Sequence, residues 1–163
     1  MVHTSSYSDT FETPVLTAGQ TFILGYTNET EGIFPASKDN PVIIFDDFTT
    51  AFKWVEFPFK AKSSAMKMIT TKSESLESLR YAYYAMSTIS YSPRIHARQW
   101  IGTYSKFRIP VPPHEVQQEI VAILDKFDAL VNDLSDGLPA EIAARRKQYE
   151  HYRDKLLTFK EAA

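Results

Sequence analysis

The chain contains no cysteine, which excludes disulfide cross-links and thiolate metal sites and fits a cytoplasmic protein. It has no apolar run approaching the roughly 20 residues of a membrane-spanning helix, so no membrane is implied. Met1 to Thr10 offers no basic start followed by an apolar core, and so no targeting segment is read there. Glycine is scarce, at 5 of 163 residues. No glycine-rich phosphate cradle, HExxH pair or Gly-X-Ser-X-Gly elbow occurs. Asp46-Asp47 is a candidate metal-binding carboxylate pair, but no acid-X-Lys nuclease spacing follows it, because Glu56 is four residues from Lys60. Aspartates ahead of a threonine-rich turn more often make local hydrogen bonds. Pro110 to Pro113 lacks the Asn or Asp and the aromatic of an amino-methyltransferase motif. These gaps point away from an enzyme.

What is present is an uneven distribution of charge. A net charge of -2 argues against a nonspecific nucleic-acid binder. Met1 to Thr50 is acidic, with Asp9, Glu12, Glu29, Glu31, Asp39, Asp46 and Asp47 against Lys38. Lys53, Lys60, Lys62, Lys67 and Lys72 share their segment with Glu56 alone, and Arg94, Arg98, Lys106 and Arg108 share theirs with no acid. Two basic segments on a near-neutral domain suit a local phosphate-facing surface.

The alternations give an α+β reading. Thr21 to Tyr26, Val42 to Phe45, Phe52 to Phe57 and Ala65 to Ile69 are short β-branched and aromatic runs bounded by Gly, Pro, Asn and Asp, and they predict strands. Asn28 to Gly32 and Lys38 to Pro41 predict turns. Ser73 is the expected N-cap of a helix whose Leu76, Leu79, Tyr83, Met86 and Ile89 face inward, ended by Tyr91-Ser92-Pro93. Tyr104 to Ile109 predicts a last strand. A mixed α/β domain over residues 1–112 thus precedes a helical segment over 113–160.

That second segment carries apolar residues at Val116, Ile120, Ile123, Phe127, Leu130 and Leu134, alternating steps of four and three, the seam of a coiled coil. The seam resumes at Leu138, Ile142, Arg145, Tyr149, Tyr152, Leu156 and Phe159 after an extra residue near Gly137-Leu138-Pro139, where a kink or break is expected. An acidic first half, with Lys126 as its base, precedes a half richer in Arg and Lys. Two copies lying antiparallel would match acid to base, whereas a hairpin folded on itself is the plainer alternative.

The run Ile109-Pro110-Val111-Pro112-Pro113 with Gln117, Ile120, Leu124, Asp125, Lys126 and Phe127, then Gly137 to Ile142 and Arg145 to Leu157, resembles a conserved spacer of type I restriction-modification specificity subunits. Thr13 to Tyr26, Ile43 to Thr50 and Phe57 to Met66 resemble the interior of that family's target recognition domains. The resemblance implies a target-recognition-type domain followed by a long coiled-coil helix. Family domains usually begin further upstream, so a half-length or truncated subunit is expected. The implied function is noncatalytic recognition of a bipartite site on double-stranded DNA. Implied partners are methyltransferase (M) and restriction (R) subunits and a second copy or another half-subunit. S-adenosylmethionine, ATP and Mg are expected on those partners and none on this chain.

For DNA contact, the loop Ser92 to Trp100 comes first, with Arg94, His96 and Arg98 interleaved among polar and aromatic residues. Lys60, Lys62, Ser63 and Ser64 come second, and Thr49 and Thr50 third, while Trp100 is expected in the core. Two other functions fit the same features: a coiled-coil adaptor binding protein through the acidic Met1 to Thr50 segment, or a stand-alone dimeric transcriptional regulator.

Overall fold

Val42-Ile43-Ile44-Phe45 is a continuous apolar run, and all four side chains are fully buried. Strand geometry sends alternate residues to opposite faces, so such a run must be covered on both sides. The computed structural model, which describes residues 7–19, 21–72, 78–129, 146–148 and 151, shows both covers. Strand β4 (Val42–Asp46) is the middle of a three-stranded antiparallel sheet between β5 (Phe52–Val55) and β7 (Met66–Ile69). Val42 and Ile44 pack with Leu16, Val55, Phe59 and Met66 in one cluster. Ile43 and Phe45 pack with Met86 and Tyr104 in another, flanked by Phe52, Trp54, Tyr83 and Trp100.

The first cluster is closed by a second sheet. Its strands β1 (Thr13–Leu16), β2 (Ile23–Thr27), β3 (Ile33–Phe34) and β6 (Phe59–Ala61) lie in the order β2-β1-β6-β3, with β1 and β6 parallel. The ladder of β1 on β2 shifts register between Val15 and Leu16, and Gly25 stands opposite Val15 there with φ of +154°. A Cβ on Gly25 would lie 2.8 Å from a ring carbon of Tyr7. Gly25→Ala is therefore expected to destabilise by about 1–3 kcal/mol, through overpacking and an unfavourable φ. An unchanged midpoint in thermal unfolding would rule out this packing.

The second cluster is closed by helix α1 (Leu79–Ser87), capped by the Ser78 hydroxyl accepting from the Tyr81 amide at 3.1 Å. Leu79, Tyr83, Met86 and Ile89 face the core as the periodicity predicts. The expected cap Ser73 and Leu76 lie outside the described residues. The helix ends at Ser87 with Thr88 as its C-cap, ahead of Tyr91.

One strand expectation is corrected. Tyr104 to Ile109 forms no strand: Tyr104–Lys106 is a 3-10 turn followed by extended chain. The Gln99 carbonyl accepts from both the Thr103 and Tyr104 amides, so those donors close a turn and are not offered to a ladder. That turn seats the Tyr104 ring 4.6 Å from Phe45, and burial raises the Tyr104 phenol above its ordinary pKa.

The chain divides into two units, Met1–Glu119 and Ile120–Ala163. Residues 114–129 are helical, as are 146–148 and 151. Gln117 is fully buried in the first turn of that helix and donates to the Pro112 carbonyl at 2.8 Å. Val116, Ile123 and Phe127 are exposed and Ile120 is half-buried. Leu130, Leu134, Ile142, Tyr149, Tyr152 and Leu156, with the break expected near Gly137-Pro139, lie outside the described residues.

Candidate nucleic-acid interface

Where β4 ends, the chain makes a tight turn through Asp46 to Thr50. The Asp46 carboxylate accepts from the Phe48 amide at 2.9 Å and from the Thr49 amide and hydroxyl at 2.8 and 3.0 Å, an aspartate holding its own turn. Thr50 closes it with φ of 59°, a left-handed conformation uncommon for a β-branched residue. Its side chain is buried and its hydroxyl donates to the Thr49 carbonyl, so Thr50 shapes the turn and presents little to a ligand.

Asp47 is the hub of the region. Its carboxylate is 1% exposed, and Oδ1 accepts from the Trp100 amide at 2.7 Å. Its carbonyl accepts from the Gln99 amide at 2.8 Å, and its own amide donates to the Ala65 carbonyl at 3.2 Å. Lys67 Nζ stands 3.4 Å from Oδ2, and an Arg98 guanidinium nitrogen stands 3.9 Å from the same oxygen. Two segments distant in sequence, 65–67 and 98–100, are thereby drawn to one buried aspartate. The Arg98 pair is long and half exposed, so solvent screens it and the guanidinium stays available to a stronger anion.

Beside this hub the loop from Pro93 to Arg98 comes to the surface. Arg94, Ile95, His96 and Arg98 are exposed, and the His96 ring stacks on Phe48 with centroids 4.7 Å apart and planes 12° from parallel. Phe48, Thr49, Pro93, Arg94, Ile95 and His96 line a shallow cleft of about 290 Å³. Arg94 and His96 of the first expected group thus meet Thr49 of the third, while Arg98 is exposed on the same loop. Trp100 is half-buried and packs on the core against Phe45 and Tyr104, at 5.1 and 6.1 Å between centroids.

The second expected group is divided. Lys60 is buried, and its ammonium is held by the Glu29 carboxylate and the Glu31 carbonyl, at 2.8 Å for the latter. The Lys60 side chain is 10% exposed against 38% for Glu29, so the ammonium is engaged by these partners and turned away from solvent. Lys62 is half-buried, hydrogen-bonded to the Tyr7 hydroxyl at 3.0 Å. The Ser63 hydroxyl accepts from the Ala65 amide, while Ser64 is exposed. Both serines line a separate depression of about 430 Å³ with Ala61, Met66 and Met68.

Sequence reasoning did not single out Asp47, Gln99 or Lys67 as parts of this arrangement. Asp47 follows β4 and its acidic last residue Asp46, and nothing in the neighbouring sequence distinguishes the buried aspartate from the one beside it. No group of three or more potential metal ligands occurs among the described residues, and none of their helices is long and apolar enough to cross a membrane.

Comparison with known proteins agrees with the motifs. The chain is 55% identical over 170 aligned positions to the type I restriction enzyme EcoR124I/EcoR124II specificity subunit of Escherichia coli, covering 99% of this chain and 41% of that relative. It is 51% identical over 65 positions to the EcoprrI specificity subunit of Escherichia coli, covering 36% of this chain and 16% of the relative. The C-terminal part of a type I specificity subunit from Mycoplasma pneumoniae is 32% identical over 83 positions, 50% of this chain and 57% of that protein. The chain therefore spans well under half the length of the full specificity subunits it matches. Residues 12–144 match the family described as the type I restriction modification DNA specificity domain, and the chain belongs to that family.

Proposed function

We propose that this chain is a noncatalytic DNA-recognition half of a type I restriction-modification specificity subunit. The observation that carries the reading is the loop Pro93 to Arg98, which presents Arg94, His96 and Arg98 to solvent while its base is fastened to buried Asp47. Specific readout needs cationic and polar side chains held on a fixed backbone, and this loop supplies both. Thr49 joins the surface through the Phe48 to His96 stack, and Lys62, Ser63 and Ser64, in the turn after β6, would make a second, separate contact.

In this reading the chain pairs with another specificity half through the seam of Val116, Ile120, Ile123 and Phe127 and its continuation. The exposure of Val116, Ile123 and Phe127 at coiled-coil spacing supports it. Pairing would set two readers at a fixed separation on a bipartite site. Methyltransferase and restriction subunits would bind the spacer and supply S-adenosylmethionine, ATP and Mg chemistry.

Arg94→Ala and Arg98→Ala are each expected to weaken DNA binding by about 10- to 100-fold and leave the unfolding midpoint unchanged. The slope of log affinity against log salt should fall by about one for a phosphate contact and much less for a base contact. Titration of both variants on duplex DNA at several salt concentrations reads the difference. Unaltered affinity and slope in both variants would refute the interface.

A further inference from the structure

Ile95 and Ile101 are the most exposed large apolar side chains among the described residues, at 70% and 78%. Both belong to the segment fastened to Asp47, and neither stabilises the fold by burial. Ile95 alone stands between two arginines. Its backbone is held from beneath: buried Gln99 donates from Nε2 to the Ala97 carbonyl at 2.6 Å and to the Ile95 carbonyl at 3.4 Å. The same side chain accepts from the Tyr91 hydroxyl at 2.7 Å, and the Ala97 amide donates to the Ile95 carbonyl at 2.9 Å. An apolar side chain is thus held out into water on a braced turn, next to the cleft with Thr49 and His96.

We propose that Ile95 is a specificity-determining residue that reads the 5-methyl group of a thymine in the major groove. This rests on the reading of the chain as a DNA-recognition subunit. Arg94 and Arg98 favour a polyanion over an apolar protein partner at this position, and thymine is the base that offers a methyl group at the groove edge. Arginine on either side settles the register on phosphate or guanine. The isoleucine then separates thymine from the other bases by apolar contact.

The full chain, as wild type, Ile95→Ala and Ile101→Ala, is used to enrich duplexes from a library with a randomised core. The enriched duplex is resynthesised with deoxyuridine replacing each thymidine in turn, which removes the methyl and keeps the pairing. Wild type is expected to lose about fourfold in affinity at one position, the worth of one methyl withdrawn from water. Ile95→Ala should bind both forms equally, and Ile101→Ala should keep the fourfold step. Persistence of the step in Ile95→Ala, or its absence from wild type, overturns the proposal while leaving DNA recognition standing. Unchanged DNA binding by Ile95→Ala with loss of a co-purifying protein subunit overturns it in favour of a protein contact. Failure of wild type to enrich any duplex overturns the DNA-recognition reading itself, and the proposal with it.

Discussion

Phe45→Ala is expected to lower the free energy of unfolding by about 3–5 kcal/mol, the usual cost of emptying a large aromatic site. Phe45 is fully buried, and its ring meets Trp100 at 5.1 Å and Tyr104 at 4.6 Å between centroids. Those two rings come from the segment that follows the exposed loop, so the cavity would open beneath the candidate interface. The loss should appear in urea as a lower midpoint with an unchanged slope, since the two-sided strand β4 keeps its other neighbours. Tryptophan emission should shift to the red in the folded variant as Trp100 loses a neighbour. A loss under about 1 kcal/mol would mean that Phe45 does not join β4 to this segment.

Asp47→Ala carries the second largest effect, about 2–3 kcal/mol. Most of it comes from the Trp100 amide, which loses a charged acceptor at 2.7 Å and is left without one in a site closed to water. Lys67 and Arg98 add little, since both are partly exposed at 27% and 56% and their attraction to Asp47 is screened. Asp47→Asn keeps an acceptor oxygen for Trp100 and should cost about 1 kcal/mol, close to an ordinary hydrogen bond. Amide exchange separates the two variants. The Trp100 amide should exchange much faster in Asp47→Ala and only modestly faster in Asp47→Asn. Equal stability of Asp47→Ala and wild type would remove Asp47 from its place as the hub.

How far the sequence revealed this fold depended on the reach of each interaction. β4 was legible because four apolar residues in a row can only be a doubly covered strand or a helix interior, and the flanking prolines and aspartates decided between them. The inward face of α1 was legible because its spacing is local. The strands β1, β3 and β6, two to four residues long, were not, since each is held by pairings that no local pattern marks. Tyr104 to Ile109 misled because alternation reports side chains and says nothing of where the amides donate.

The site divided along the same line. Arg94, His96, Arg98 and Thr49 were nominated from residue type and a loop position, both local properties, and all four are exposed. The burial of Lys60 was not legible because its charge is visible in the sequence while its partner Glu29, 31 residues away, is not marked as such. Asp47 looked like a turn residue and is one, but it is Asp46 whose carboxylate holds the turn. Its long reach to Trp100, across 53 residues, had no local trace.

The parallel pairing of β1 with β6 bears on how the chain reaches this structure. The β1-β2 and β4-β5 hairpins each join neighbouring segments and close short loops. β6 can meet β1 only after everything between Leu16 and Phe59 has been gathered in, and that entropy is lost before any new contact compensates. The four-stranded sheet is thus the late step in folding. Until it forms, the unpaired flank of β1 is open to another nascent chain, and high synthesis rates should favour aggregation through that edge.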